Sequence, residues 1–324
     1  MYILHIWDQA GVACIFAKYQ CLQGHDSKVI TFSGYDKYGI HEFYKNYIIE
    51  VIPQDFTKIC IQEAEKADVI HIHGKIEMVF RLRRRFGESK KIILEYLGTD
   101  IRGLTKPKEV STGLSLGILI ISSFIRKLRG QELSTDQIHY YAQMLADAVL
   151  VSTPDLLTLV YKGEYIPIPV DLQHFKSNEV SKEKFNKALT INTEAIDIQR
   201  AISYCKENSI NLDIEIYDRI RSPILYTDMP SFLKKYEVYV DIRFVKETLL
   251  ANLSSTALQA LACGLRVLDF RLQYVKTFPI EHDPVHIVSK LFSIYQQKKG
   301  IYVKLFQFLY SIQRSIFVKK KIAK

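Results

Sequence analysis

The feature that most constrains this chain is a rhythm. Short apolar runs of strand length alternate with segments of helical periodicity, again and again. Strands are expected at residues 2–7, 28–32, 47–52, 68–73, 91–96 and 148–152, with helices at 12–23, 55–67, 75–86 and 135–146 between them. Repeated βα units close as a parallel sheet covered on both faces. At residues 166–175 the rhythm breaks. IPIPVD holds two prolines, and the polar stretch KSNEVSKEKFNK (176–187) follows, which reads as a linker. The pattern then restarts, with strands at 188–192, 212–217, 238–242 and 266–270 and helices at 196–208, 229–236 and 255–262. Two long helices, near 285–297 and 301–320, close the chain. With 324 residues there is length for two domains. The expectation is an α/β protein of two Rossmann-like domains facing across a cleft. Residues 1–175 and 176–300 form the two domains, and a helix at 301–324 crosses back to the first. Open sheets of this kind receive ligands at the carboxyl ends of their strands, so facing domains place a site between those ends.

Composition narrows the function class. Apolar residues at 48% exclude a disordered or low-complexity chain. The net charge of +9 is localised. Residues 301–324 carry six basic side chains and no acid, and residues 81–91 carry Arg81, Arg83, Arg84, Arg85, Lys90 and Lys91 against Glu88. The rest is near neutral, so no nucleic-acid partner is expected, and no nucleic-acid motif is present. Segment 75–86 reads either as a basic amphipathic helix for an anionic membrane surface or as a helix packed on the sheet with a charged rim. Segment 114–129, an apolar run followed by Arg126, Lys127 and Arg129, reads as a membrane or acceptor-lipid contact. The longest apolar run, 114–125, is too short to span a bilayer. No secretory leader is apparent at the start. Five cysteines without a CxxC pair point to a reducing, cytoplasmic setting without structural zinc, with Cys14, Cys21 and Cys60 as buried packing thiols.

Several strand ends carry chemistry. After the first strand, Trp7-Asp8-Gln9-Ala10-Gly11 leads into a helix. Gly11 permits a tight turn, which is either an anion seat at the helix amino-terminus or an ordinary βα connection. His71 and His73 share one strand face, followed by Gly74. No carboxylate cluster or third histidine is near them in sequence, so no metal is expected. His73 either faces the cleft or stands behind it. Gly98-Thr99-Asp100-Ile101-Arg102-Gly103 places an acid and an arginine at a strand end. They act on substrate or pair to hold the loop. In the second half, Asp218 and Arg219 close one strand. Asp241, Arg243, Lys246 and Glu247 follow another. Ser254, Ser255 and Thr256 crowd a helix start, a seat for diphosphate or a plain N-cap.

Taken in order, ILHIWDQAGV, ADVIHIHG, GTDIRG, ADAVLVSTPDLL, IPIPVD, MPSFLKKYEVYVD and STALQALACGLRVLDF resemble the retaining, family-four-type glycosyltransferases of the GT-B fold. The resemblance spans most of residues 1–270. It implies a nucleotide-sugar donor held mainly by the second domain and an acceptor held mainly by the first. It implies transfer with retention and no obligatory metal or other cofactor. The acceptor expected is a glycan or lipid-linked molecule at a membrane face. Asp100 and Arg102 then take catalytic roles. Gly11, His73, Gly98, Thr99, Asp218, Arg219, Arg243, Lys246, Ser254, Ser255 and Thr256 bind donor or substrate, and Gln259 meets the ribose. The family's paired glutamates, eight positions apart, correspond here to Ala251 and Gln259, and no lysine follows the strand at 188–192. Arg219, Arg243 or Lys246 would replace that diphosphate clamp. Two other readings stand beside this one: a catalytically idle GT-B module that binds a partner or glycan, and a sugar-nucleotide epimerase.

Overall fold

The computed structural model describes residues 1–104, 134–176, 187–193, 196–245 and 247–297. The segment 114–129, the tail 301–324 and Lys246 lie outside these. Two parallel sheets carry the fold. The first has seven strands, β1 (Tyr2–Ile6), β2 (Asp26–Phe32), β3 (Ile48–Val51), β4 (Val69–His73), β5 (Lys91–Tyr96), β6 (Ala148–Val151) and β7 (Gly163–Tyr165). Their order is β3-β2-β1-β4-β5-β6-β7, every pair parallel. The order reverses between β1 and β4, the place where open sheets leave a crevice. Helices α1 (Val12–Leu22), α2 (Ile40–Phe43), α3 (Phe56–Lys66), α4 (Ile76–Phe86) and α5 (Thr135–Leu145) belong to this half.

The second sheet has β8 (Ala188–Asn192), β9 (Ile214–Asp218), β10 (Val238–Val240), β13 (Arg266–Leu268) and β14 (Tyr274–Val275), in the order β14-β13-β10-β8-β9. Only β14 runs antiparallel. A hairpin of β11 (Phe244–Val245) and β12 (Thr248–Leu249) hangs off β10. The helices here are α6 (Leu172–Phe175), α7 (Ile198–Glu207), α8 (Met229–Leu233), α9 (Ser255–Ala262) and α10 (Pro284–Gln296). Two Rossmann-like layers therefore follow one another. Five small features had no periodic signal: α2, α6, the hairpin, and the edge strands β7 and β14.

Among the described residues a return crossing is made by α10. Tyr295 is buried against His71 and Gln20, and Lys290 Nζ donates to Tyr165 O at 2.7 Å. The sequence reading placed a crossing on 301–324, which lies outside the described residues. The largest buried cluster runs through both halves, from Ile3, Phe16 and Tyr44 to Leu189, Tyr226, Leu258 and Ile287.

Helix α4 resolves one open alternative. Val79 and Leu82 are buried, and Ile76, Phe80 and Phe86 pack on the same core. Its apolar stripe thus faces the sheet. Arg83 is buried as well. It donates to Leu145 O, Gly87 O and Lys90 O and pairs with Asp147 at 2.6 Å. Arg85 pairs with Glu65. Among the described residues no helix is long and apolar enough to cross a membrane. Cys14 and Cys60 are buried, as expected, whereas Cys21 is only half-buried at the end of α1.

Asp171, from IPIPVD, is wholly buried. It accepts hydrogen bonds from Lys18 Nζ at 2.7 Å, Tyr19 Oη at 3.0 Å and Tyr44 Oη at 2.8 Å. Removing it leaves the Lys18 ammonium without its partner. Asp171→Ala should cost about 3 kcal/mol or more in urea unfolding. Tyr44→Phe, which removes one hydroxyl, should cost about 1 kcal/mol. Equal effects would mean the charge at Asp171 does not matter.

Candidate functional site

A cavity of about 440 Å³ opens between the halves. Its first wall is Asp8 and Ala10 after β1, with Tyr35, Asp36, Lys37, Tyr38, Ile40 and His41 after β2. Its second wall is Arg219 after β9, Tyr226, and Ser255, Thr256 and Gln259 from α9.

The turn after β1 is tightly wound. Trp7, Ala10 and Gly11 all have left-handed φ values, at 76°, 60° and 84°. For Trp7 and Ala10 this is strained backbone of the sort that persists where surrounding contacts over-determine it. Asp8 supplies those contacts. Its Oδ2 accepts from Gly11 N at 2.9 Å and its Oδ1 from Ala13 N at 2.8 Å. The amino-terminus of α1 is therefore capped from within, and the anion seat considered at Gly11 is filled by Asp8. Glycine is still needed there. Besides the positive φ, a Cβ would lie 3.2 Å from Ile40 Cγ2.

Asp36 is committed in the same way, accepting from Ile40 N at 2.8 Å and Glu42 N at 3.0 Å. Both acids of the first wall thus satisfy backbone donors. His41 lies 3.4 Å from Asp8. Burial lowers its pKa, but the hydrogen bond and charge of Asp8 outweigh that, and the net direction is up.

On the second wall Arg219 is distinctive. Its guanidinium stacks on the Tyr38 ring at 3.9 Å, across the two halves. Its Nε is buried without a hydrogen-bond partner, and desolvation lowers its pKa. Beside it, α9 opens toward the cavity. The first N–H groups of a helix have no acceptor within the helix. Ser254 Oγ accepts that of Ala257 at 3.0 Å, and the next residues in from the cap, Ser255 and Thr256, form the wall. Ser254 is itself held by Asp241, which accepts from its N at 2.8 Å and its Oγ at 2.6 Å.

The other sequence-derived residues divide as follows. Arg219, Ser255, Thr256 and Gln259 line the cavity together, with Gly11 and Ser254 directly behind its walls. Asp218 accepts from Ile220 N and Arg221 N and shapes the turn that carries Arg219. Arg243 pairs with Asp241 at 3.1 Å and donates to Asn252 O, outside the lining. In the 98–103 loop, Asp100 accepts from Leu97 N and Gly98 N, and Arg102 pairs with Asp155 at 3.0 Å. Asp100 and Arg102 hold this loop through different partners, not through each other. Thr99 Oγ1 accepts from Gln9 Nε2 at 2.9 Å, tying the loop to the β1 turn. Gly98 has φ 130°, and a Cβ there would meet Arg102 at 2.5 Å.

His73 is wholly buried. Its Nε2 lies 2.9 Å from His5 Nδ1, and its Nδ1 lies 3.0 Å from Glu95 Oε2. The structure thus supplies the third histidine and the carboxylate that spacing along the chain did not show. Burial pushes the Glu95 carboxyl up, but His71 and His73 outweigh it and hold it down to about 2. Sequence reasoning also missed residues 35–41. They have no periodicity, although the aromatic and charged YDKY run is visible.

No family model matches the sequence, and no curated protein matches it. Among solved structures the fold matches that of an alpha-glucosyltransferase, a GT-B fold. The chain is similar to an alpha-glucosyltransferase in complex with UDP and a 13-mer DNA containing a HMU base. Identity is 11%, with 96% of this chain and 93% of that one covered, at a TM-score of 0.51. MurG of Acinetobacter baumannii is more distant, at 9% identity, 95% and 90% coverage and a TM-score of 0.37. At these identities the likeness is one of fold.

The raised pKa of His41 gives a stability term of definite sign. It is fully present below the unfolded value of about 6.5. It is lost as pH rises through the higher folded value. The stability gap between wild type and His41→Asn in urea should therefore shrink from pH 6 to pH 8. A gap that widens with pH would reverse the assignment.

Proposed function

We propose that the chain is a glycosyltransferase that binds a nucleoside-diphosphate sugar in the cavity between its halves. The observation that carries this is Arg219. It is a desolvated cation with an unpartnered Nε, facing a cavity whose acids, Asp8 and Asp36, already serve backbone donors. A partly buried cation is stabilised when an anion joins it. The start of α9, which lines the same cavity, adds N–H groups and hydroxyls of the type that cradle phosphate. A cavity of about 440 Å³ falls within the range of small-molecule sites. On this reading Arg219, Ser255 and Thr256 take the diphosphate and Gln259 meets the ribose. The 98–103 loop forms the acceptor side, with Asp100 and Arg102 setting its shape. The acceptor is a glycan or lipid-linked molecule reached from a membrane surface, and the anomeric configuration is retained, as the family-four resemblance implies.

Two measurements test this. Thermal shift and calorimetry with UDP, GDP, ADP and dTDP should single out one nucleotide. Arg219→Ala should weaken its binding roughly 10- to 100-fold, the loss of one charge-assisted contact. Arg243→Ala, outside the lining, should act far less. No binding of any diphosphate would overturn the reading in favour of an idle module. Turnover of the matching nucleotide sugar should require an acceptor, tried as free glycan, lipid-linked glycan and duplex DNA. Conversion of free donor without acceptor would indicate an epimerase. Transfer to DNA would overturn the glycan assignment alone.

A further inference from the structure

We propose that His71, His73 and Glu95 form a buried site for a divalent transition-metal ion of the zinc type. The inference is independent of the nucleotide reading, since none of the three lines the cavity.

The sheet assembles the group. His71 and His73 alternate on β4 and so project to one face. Glu95 on β5 is the register partner of His73, and His5 on β1 is the partner of His71. Four chemically competent side chains from three adjacent strands thus stand together. All are 1% exposed or less.

The donor atoms converge. Glu95 Oε2 lies 3.0 Å from His71 Nε2 and 3.0 Å from His73 Nδ1. Atoms sharing an ion through bonds of about 2.0–2.2 Å sit at about 3 to 3.5 Å from one another. Yet these ion-pair contacts lack good hydrogen-bond geometry. His71 Nε2, His73 Nδ1 and both Glu95 oxygens are all buried without a hydrogen-bond partner. Such atoms are rare in a folded interior and call for an explanation. Right spacing with wrong hydrogen-bond direction is what donors aimed at a common cation produce.

The opposite edges of the rings are held. His71 Nδ1 lies 2.9 Å from Tyr295 Oη, and His73 Nε2 lies 2.9 Å from His5 Nδ1. His5 Nε2 in turn lies 2.8 Å from Gln20 Oε1. For His73 this is the outer-shell arrangement that fixes the tautomer of a ligating imidazole. The protons follow from it. An amide oxygen can only accept, so His5 Nε2 carries hydrogen and its Nδ1 is the lone-pair side. His73 Nε2 then donates to it, and His73 Nδ1 is left as a lone pair facing a carboxylate. Two electron-rich atoms 3.0 Å apart in a dry interior need either a proton or a metal ion between them. Two imidazoles and one carboxylate suit zinc and its neighbours better than calcium or magnesium. Among the described residues the metal-competent groups are His5 with His71 and His73, and Asp8 with Cys14 and His41. Both Asp8 oxygens there accept backbone N–H groups.

Full burial makes the site structural. Through Tyr295 it joins α10 to the first sheet. The test uses the full chain without an affinity tag, produced in zinc-supplemented medium. Elemental analysis should find about one equivalent of zinc, as for a single site. Cobalt(II) in its place should give visible absorption, and stripping the ion should lower the melting temperature without changing nucleotide binding. Glu95→Gln should reduce metal content at least about tenfold, since even outer-shell changes cost 10- to 100-fold. The wild-type measurement stands even if a variant misfolds. Wild-type protein that takes up neither zinc nor cobalt overturns the proposal and leaves a protonated imidazole–carboxylate network. Undiminished uptake by a folded Glu95→Gln or His73→Gln variant overturns it too.

Discussion

The structure depends on one carboxylate buried where its parts meet. Asp171 sits at the end of the proline-bearing connector with no exposure, and three donors from the first half close on it. Tyr44, one of them, passes the contact to Tyr226 of the second half at 3.0 Å. Tyr226 N donates to Tyr38 O, and His174 bonds to Tyr226 O. A charge in this position is costly unless its partners are geometrically fixed. Its cost therefore specifies one arrangement of the two halves. The cavity borders this junction. Tyr226 is both a member of the shared core and a wall residue. The walls are consequently as fixed as the core.

That rigidity changes what the charges can do. Acids at the cavity are satisfied by helix ends, Asp8 by α1 and Asp36 by α2. Arginines elsewhere are satisfied by carboxylates and carbonyls, as Arg83 and Arg102 show. What remains unpaired at the junction is positive and lies against Tyr38. The net charge of +9 therefore gives little guidance to the ligand. The placement of one arginine gives more.

The fold was legible because its signals are local. The strands 91–96 and 188–192 and the helix 255–262 match their sequence bounds residue for residue. Apolar runs end at glycines or polar turns, and nothing tertiary competes with that. The site was legible only in part. The α9 start and Arg219 could be read because both stand at element ends. The stretch 35–41, which makes most of the first wall, has no period of either kind. Its shape comes from Asp36 capping and from packing on the other half. His5 joined His71 and His73 only through strand register, 66 and 68 positions away along the chain. Arg83 looked like one of four surface arginines. Its burial follows from the register of α4 against Asp147, which no single helix reveals.

The departures from the family-four pattern have a geometric reply. The missing cation belongs after β8, the strand at 188–192, where this chain has none. Strands β8 and β9 run parallel and end level, with Asn192 opposite Asp218. Parallel neighbours lie only about 4.8 Å apart. A long side chain leaving the end of β9 therefore reaches the space that one leaving β8 would reach. Arg219 follows β9 immediately, and it lines the cavity with Ser255 and Thr256. On the proposed reading the diphosphate clamp has moved by one strand. The parallel sheet makes such a move cheap, because every strand delivers its last residue to the same edge. The glutamate missing at Ala251 has a different consequence. With Gln259 uncharged as well, the α9 wall holds no carboxylate to oppose the phosphate, so a single arginine has less negative charge to overcome.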